Sequence, residues 1–362
     1  MKLRSWLSLF TLSLLFGLTL PSCSQDSILG EAGQPQPTSF GAINRLTVIA
    51  DTNLITTDIR DSLAFFFESP FLILPQPEPI FDVDFTRPYN LQAEPVSRQL
   101  RSYLVLANLD DQFSETSKMV KRDLNERQLE KVEQEGFISV LAEDKWARNQ
   151  RLYYLVGRDL ENLHAGMRQV YPTIVKSLKE REYERWETTA YIRGSSGSLR
   201  RQMESRIGAT MEVPQEYVLS PLADTSVMWM RKFVRAGSIN ILVGKVPYTS
   251  AEQLTEAGYK QIINELGGEY ISSDKEGSYL EVNDTDLPVF FEQVQLGDNY
   301  SLEARGIWEM NGEYMAGPFI SYLLPNEDRG ELLLVMGFAH APNRKKRDMM
   351  EELSVVLRTA RF

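Results

Sequence analysis

The sequence predicts an α+β protein made of two halves, each mixing antiparallel sheet with helices. In both halves, short β-rich runs are interspersed with amphipathic helical stretches. The break Gly194-Ser195-Ser196-Gly197 separates a half with long helical tracts from a half dominated by closely spaced strands. The composition, 43% hydrophobic and 25% charged over 362 residues, is that of a globular chain long enough for two domains.

The elements of the N-terminal half follow from periodicity and turn residues. Three prolines at alternate positions, Pro75, Pro77 and Pro79, exclude a helix and favour an extended polyproline II stretch. The predicted strands are Leu46–Ala50, Phe81–Phe85, Ser102–Ala107, Phe137–Leu141 and Leu152–Val156. The predicted helices are Asp58–Phe67, Ser114–Glu133 and Asp159–Thr189, the last interrupted at Pro172.

The C-terminal half is predicted to contain more strands than helices. Its predicted helices are Leu199–Ile207, Ser250–Leu266 and Asn343–Thr359. Its predicted strands include Tyr217–Leu219, Val227–Val234, Ile239–Val246, Tyr279–Val282, Val289–Val294, Leu302–Met310, Pro318–Leu324 and Leu332–Ala339. Strands that follow one another closely favour antiparallel pairing, and a pair of ferredoxin-like sandwiches is one topology compatible with this order.

The N-terminus carries the pattern of an export signal. Lys2 and Arg4 precede an uncharged apolar run that is shorter than the roughly 20 residues of a membrane-spanning helix. Leu20-Pro21-Ser22-Cys23 follows and resembles the bacterial lipoprotein signal of Leu, a variable residue, a small residue and Cys. The resemblance implies diacylation of the Cys23 thiol, cleavage before Cys23 and acylation of the new amine. Ordinary secretion with an unmodified Cys23 is the alternative.

These signals divide the chain into four predicted segments. Residues 1–22 form a lipoprotein signal peptide, and residues 23–40, rich in Gly, Pro and Gln, form a flexible tether. Residues 41–194 form an N-terminal α+β domain, and residues 198–362 form a C-terminal α+β domain. We therefore expect the protein to be localised to the cell envelope, with its folded domains anchored to a membrane through lipid on Cys23.

Charge and cysteine content exclude several classes of function. The chain has 39 Lys and Arg against 50 Asp and Glu, a formal net charge of −11. An acidic surface argues against non-specific binding to nucleic acid or to anionic lipid. Because Cys23 is the only cysteine, its use for lipid leaves no thiol for a disulfide, for catalysis or for a metal. We therefore expect no nucleic-acid partner and assign no cofactor.

Candidate catalytic and metal-binding residues are few. His164 and His340 are the only histidines, and we interpret His164 as solvated and His340 as structural or exposed. A Ser-His-Asp triad assembled in space stays open as an alternative, but no G-x-S-x-G or H-E-x-x-H motif is present. The acidic stretch Asn283–Asp286 does not fit the EF-hand spacing and is interpreted as a solvated turn. No catalytic, cofactor-binding or metal-binding residue is assigned.

Four further stretches have a functional and a structural interpretation. Gly194–Gly197 beside Arg200 could cradle a phosphate, but a linker is favoured. The basic cluster Arg344–Arg347 opposes a helix dipole, which suggests pairing with Glu351 and Glu352 or with an external acidic partner. Trp308 and Phe319 could line a ligand groove or pack in the core. The segment Pro75–Pro79 could dock a partner or wrap the domain.

Several of these runs, taken together and in order, resemble DUF4837, an uncharacterised lipoprotein family of Bacteroidetes. The runs are Leu74–Phe81, Asp144–Gln150, Leu302–Met310, Met315–Phe319, Gly337–Pro342 and Lys346–Asp348. The resemblance spans roughly residues 40 to 360 and implies an exported lipoprotein of a Gram-negative envelope. It supplies no reaction and no catalytic residue.

The function expected from the sequence is that of a lipid-anchored cell-envelope protein. It would sit on the inner or outer membrane of a Gram-negative bacterium and act as a non-enzymatic binding or assembly module with an envelope protein partner. The alternative is an envelope hydrolase whose site is assembled in space near His340.

Overall fold

The computed structural model describes residues 36–222, 226–235, 237–297 and 299–362, and Cys23 with its signal lies outside them. The N-terminal half is built on a five-stranded sheet in the order β2-β1-β3-β5-β4. Its strands are β1 (Arg45–Ile49), β2 (Asp82–Thr86), β3 (Ser102–Asn108), β4 (Phe137–Glu143) and β5 (Arg151–Gly157). Its helices are α1 (Thr57–Phe67), α2 (Pro88–Ala93), α3 (Glu115–Asp123), α4 (Glu126–Glu135) and α5 (Leu160–Ala190).

Most strand pairs in this sheet are parallel. β1 pairs with β2 and with β3, and β3 pairs with β5, all in parallel, while only β4 runs antiparallel to its neighbour β5. This differs from the antiparallel pairing expected from the sequence, because α1 and α2 act as crossover connections that bring successive strands back in the same direction. Side chains of α1 and α5 cover one face of the sheet, and those of α2, α3 and α4 cover the other.

The C-terminal half is built on an eight-stranded antiparallel sheet. Its strands are β6 (Val218–Leu219), β7 (Val227–Val234), β8 (Gly237–Pro247), β9 (Tyr279–Asn283), β10 (Phe290–Leu296), β11 (Asn299–Asn311), β12 (Ala316–Asn326) and β13 (Glu331–His340). Their order is β10-β11-β12-β13-β8-β7-β6, and β9 pairs with the far end of β11. One face carries α7 (Glu256–Tyr270), and the other carries α6 (Gly197–Ile207) and α8 (Arg347–Leu357).

The long helix α5 belongs to both halves. Its N-terminal part, as far as Leu178, buries Leu163, Tyr171 and Leu178 in the core of the N-terminal sheet. Its second half places Trp186 and Ala190 in the core that α8 shares with the C-terminal sheet. The two sheets are therefore connected by one continuous helix of 31 residues.

The predicted α+β class is confirmed, with helices and strands in both halves. The strand orders differ from the ferredoxin-like possibility, because one sheet has five mainly parallel strands and the other has eight antiparallel strands. Residues Pro37 to Phe40, at the end of the predicted tether, form backbone hydrogen bonds with the N-terminal half. Arg148 N–H donates to Pro37 O, and Phe40 N–H donates to Gln99 O. No helix within the described ranges has the length and apolarity needed to cross a bilayer.

Candidate functional site

A small polar crevice lies at the carboxyl ends of β1 and β3. In open parallel sheets, ligands bind where successive connections leave in opposite directions, and here β1 leads to β2 on one side and has β3 on the other. The crevice measures about 120 Å³ and is lined by Asp51, Asn53, Asn108, Asp111 and Ser114, among others. Its position makes it the first place to look for a ligand.

The protein's own carboxylates occupy the groups that a ligand would use there. Asp51 accepts hydrogen bonds from the Ser114 hydroxyl and from the N–H groups of Glu115 and Thr116, both at 3.2 Å. Asp111 likewise accepts from the N–H of Phe113 at 3.0 Å. In related topologies the N-terminus of such a helix faces an anion, but Asp51 already fills that place at α3. The crevice is therefore interpreted as structural.

The region around His340 does not bring together a nucleophile and an acid. His340 ends β13 with its ring 6.1 Å from that of Trp308. Burial lowers the pKa of His340, and the charge of Lys346 lowers it further. Within the described part of the chain, no serine hydroxyl or carboxylate is hydrogen-bonded to the His340 side chain. The other histidine, His164, lies on α5 with a buried Nε2 that has no hydrogen-bond partner, rather than in solvent as expected.

The acidic stretch Asn283–Asp286 and the glycine-rich break Gly194–Gly197 are held by hydrogen bonds within the protein. Asn283 Oδ1 accepts from the N–H groups of Thr285 and Asp286, both at 3.0 Å, while Asp284 pairs with Lys260. Among described residues, no group of three or more His, Cys, Asp or Glu is placed to hold a metal ion. In the glycine-rich break, Ser196 caps α6.

The basic cluster and the proline-rich segment meet each other inside the molecule. Glu78 accepts hydrogen bonds from the N–H groups of Lys346 at 2.6 Å and Arg347 at 3.1 Å, and so caps α8. Arg347, whose side chain is 4% exposed, donates to Pro79 O at 2.8 Å and pairs with Asp82 at 2.9 Å. The acidic partner of the cluster is therefore the N-terminal half of the same chain.

The aromatic candidates belong to the core. Trp308 and Phe319 are each 1% exposed, and Trp308 Nε1 donates to Ala339 O at 3.3 Å. They pack beneath α7 with Phe338, whose ring lies 5.4 Å from that of Trp308. This arrangement supports the packing interpretation over a ligand groove.

A groove runs along the free edge of β4. β4 is the last strand of its sheet, and no described strand pairs with its outer side. The groove measures about 510 Å³, and its floor is the strand edge from Phe137 to Val140. One wall comes from Gln128, Lys131 and Glu135 of α4, and the other includes Gln169 of α5.

The hydrogen-bond pattern shows which backbone groups of β4 face the groove. Arg158 N–H donates to Gly136 O at 2.7 Å, and Asp144 N–H donates to Gln150 O at 3.0 Å. Because paired and outward-facing residues alternate along an antiparallel strand, the even-numbered residues of β4 bond to β5. The N–H and C=O groups of the odd-numbered residues therefore point outward, at Phe137, Ser139, Leu141 and Glu143.

This edge lacks the usual features that block strand addition. Proteins protect sheet edges with charges, prolines or bulges. β4 carries neither charge nor proline from Phe137 to Ala142, and Leu141 is 45% exposed. At the opposite edge, by contrast, β2 carries Asp82 and Asp84, both in ion pairs. The sequence showed β4 as a strand, but its edge position came only from the pairing with β5.

Three solved structures resemble part of this chain weakly. A point mutant of the protein Mog1 has a TM-score of 0.27 and 10% identity, and Saccharomyces cerevisiae Ran-binding protein Mog1p has a TM-score of 0.29 and 11% identity. Each match covers 42% of this chain and 89% of the other. A protein of Bacteroides thetaiotaomicron VPI-5482 has a TM-score of 0.24 and 10% identity, covering 42% of this chain and 44% of that one. At these TM-scores the likenesses carry no argument about function.

No curated protein matches this chain. Two family models match its two halves, which corrects the expectation that one family would span residues 40 to 360. The predicted relationship to DUF4837 is confirmed for residues 196–359, which match the model described as Domain of unknown function (DUF4837), while residues 39–191 match the Domain of unknown function (DUF8532).

Proposed function

We propose that this protein is a lipid-anchored assembly module of a Gram-negative cell envelope that binds an extended segment of a partner protein along β4. Anchoring is supported by the sequence Leu20-Pro21-Ser22-Cys23 and by the lipoprotein character that the DUF4837 resemblance implies. The observation that carries the binding role is the uncharged, proline-free edge of β4, open to a groove between two helices.

An added strand would use the outward groups of β4. Each outward residue offers one N–H and one C=O, and each new backbone hydrogen bond contributes about 0.5–1.5 kcal/mol net. Side chains of the added strand would alternate between the α4 wall and the α5 wall, so the walls would select sequence while the backbone supplies affinity. The groove floor of four residues suits a segment of similar length.

Ser139→Pro tests the edge directly. Position 139 faces outward, so proline removes a donor that strand addition needs and leaves the hydrogen bonds between β4 and β5 intact. We expect the variant to lose about two- to twelvefold in affinity for the partner captured by the wild-type protein from solubilised envelope, as one missing backbone hydrogen bond implies. Ser139→Ala is the matched control and keeps the backbone donor.

Hydrogen exchange on the captured complex supplies an independent measurement. Binding along β4 should slow exchange at the amides of Phe137, Ser139 and Leu141 more than at the already bonded Ile138 and Val140. Equal capture by Ser139→Pro and wild type, or protection confined to another surface, would rule out the edge as the binding site. Turnover of a peptide, ester or glycan by the purified protein would instead favour the hydrolase alternative.

The anchor has its own test. Cys23→Ser and inhibition of lipoprotein signal peptidase should each abolish lipid labelling and release the body from the membrane fraction. Retention on the membrane in both conditions would contradict lipid anchoring while leaving the result at β4 unaffected.

A further inference from the structure

Three cations on α3 line a groove beside α2. The groove measures about 460 Å³, and Tyr89 of α2 faces Lys118, Lys121 and Arg122 across it. The three cations are exposed and lie three and four residues apart, so they project from one side of α3. Among described residues none of them forms an ion pair with a carboxylate. Lys118 Nζ donates a hydrogen bond to the carbonyl of Phe113, at 3.4 Å.

Exposed apolar side chains lie on α2 or close to α2 and α3 in the chain. Phe113, two residues before the start of α3, is 89% exposed, and Tyr89 is 60% exposed. Val96, in the short 3-10 helix that follows α2, is 62% exposed. We define the α2–α3 surface by these residues and the cations: Tyr89, Val96, Phe113, Lys118, Lys121 and Arg122.

We infer that the α2–α3 surface docks the body of the protein onto anionic phospholipid head groups of a bilayer. Exposed aromatic side chains beside cations suit the membrane interface, where rings enter the head-group layer and cations meet phosphate. An acidic peptide would pair with the cations but would leave Phe113 and Val96 in water. The inference goes beyond the proposed binding at β4 and uses only the anchor of that proposal.

The position of chain entry agrees with this orientation. Phe40 joins the fold by donating its N–H to Gln99 O, at the end of the 3-10 helix that contains Val96. The chain from Cys23 to Gln36 can span at most about 45 Å. A span of this length allows a lipid on Cys23 to sit in the same bilayer that the α2–α3 surface contacts.

The positive charge of the α2–α3 surface distinguishes it from the rest of an acidic protein as a site for anionic lipid. The net charge of −11 repels most faces from an anionic bilayer, which is why the sequence argued against lipid binding. At the α2–α3 surface, the three cations without ion-pair partners among the described residues turn this repulsion into attraction. Each Lys or Arg near an anionic surface strengthens binding about fivefold, and Glu115 in the groove offsets part of that gain.

A single introduced cysteine tests the orientation, because Cys23 is the only native cysteine and is consumed by lipid in the anchored protein. A fluorophore on Gln112→Cys, beside Phe113, is compared with one on Tyr314→Cys, a fully exposed position in the C-terminal half. The lipidated mature protein is placed in phosphatidylcholine vesicles with or without phosphatidylglycerol, and nitroxide lipids report contact. We expect quenching at position 112 to rise at least threefold with phosphatidylglycerol and to fall with salt, and position 314 to stay unquenched.

Charge-matched variants decide the outcome. Lys118→Gln/Lys121→Gln/Arg122→Gln should abolish the rise in quenching. Lys176→Gln/Arg201→Gln/Arg235→Gln removes the same charge from exposed positions elsewhere and should preserve it. Equal quenching at the two label positions, or equal loss in both triple variants, would overturn membrane docking. Binding of an acidic peptide to the three cations, with no quenching by nitroxide lipids at position 112, would assign the surface to a protein partner. That result would also overturn membrane docking.

Discussion

At the scale of single residues, Glu78 shows how a side chain in the proline-rich segment caps a helix of the other half. The N-terminus of α8 begins with a basic run, which opposes the helix dipole and leaves its first N–H groups without helical partners. Glu78, 7% exposed, supplies a carboxylate that accepts two of those N–H groups. The prolines on either side hold Glu78 in an extended backbone, so the segment serves as a cap delivered from the other half.

Glu78→Ala should therefore destabilise the protein by about 2 kcal/mol. The variant loses a helix cap, worth about 0.5–2 kcal/mol, and leaves two N–H groups without their acceptor. Urea unfolding of the mature protein measures the loss as a lower midpoint with an unchanged slope. Glu276→Ala, at an exposed loop position, is the control and should change stability by less than about 0.5 kcal/mol. Equal effects of the two changes would show that the cap is not stabilising.

At the scale of elements, local patterns predicted most strands and helices. They did not predict the register of the strand pairs, and the antiparallel direction expected for the N-terminal sheet was wrong for three of its four pairs. Val227–Val234 was predicted with the bounds that β7 has. The single predicted helix Ser114–Glu133 is two helices, because Asn125 and Gln128 form a capping box that begins α4. α5 continues through Pro172 because Tyr171 and Ile174 beside it are buried in the core, which outweighs the roughly 3 kcal/mol that an interior proline costs.

The candidate groove could be predicted only in part. Its floor was identified as a strand, and the absence of charge between Phe137 and Ala142 was visible in the sequence. Its edge position depends on β5 inserting between β3 and β4, a long-range pairing that no local pattern records. The same holds for Glu78 and Arg347, which lie 269 residues apart in the chain and are hydrogen-bonded in the folded structure.

The shared helix α5 should couple the unfolding of the two halves. Trp186→Ala removes a side chain that is 8% exposed in the C-terminal core, which typically costs about 3–5 kcal/mol. Because the same helix buries Leu163 and Tyr171 in the other core, amides of β1 and β3 should also exchange faster. Hydrogen exchange measured strand by strand checks this. Glu180→Ala, at an exposed position on α5, is the control, and faster exchange limited to residues 196–359 would show that the halves unfold independently.

At the scale of the whole molecule, the halves contact each other through α5, through the segment that carries Leu74 and Glu78, and through a polar contact centred on Asp82. Asp82 belongs to β2, while Arg347 and Lys345, which bind it at 2.9 and 3.1 Å, belong to the C-terminal half. Arg347 also donates to Pro79 O, so the guanidinium is held by the N-terminal half at two points. The relative placement of the sheets thus depends on charge as well as on the packing of one helix.

This contact predicts how stability varies with pH. Burial raises the pKa of Asp82, but hydrogen bonds and charge from Arg347 and Lys345 outweigh burial and hold the pKa below the ordinary 3.8. A carboxyl whose pKa is lower in the folded state stabilises the protein above its unfolded pKa and loses that contribution as the pH falls through the folded value. Because Asp82 is 38% exposed, solvent screening limits the contribution to about 1 kcal/mol.

Asp82→Asn should accordingly lower the free energy of unfolding by about 1 kcal/mol at pH 7 and by progressively less as the pH falls below 3.8. Urea unfolding of wild type and variant between pH 7 and the acid limit measures the difference. Glu276→Gln, which removes an exposed acidic charge, should follow the wild-type curve throughout. A gap between wild type and Asp82→Asn that stays constant into acid would show that the charge of Asp82 does not join the halves. The packing of α5 against both cores and the segment that carries Leu74 and Glu78 would then connect the halves.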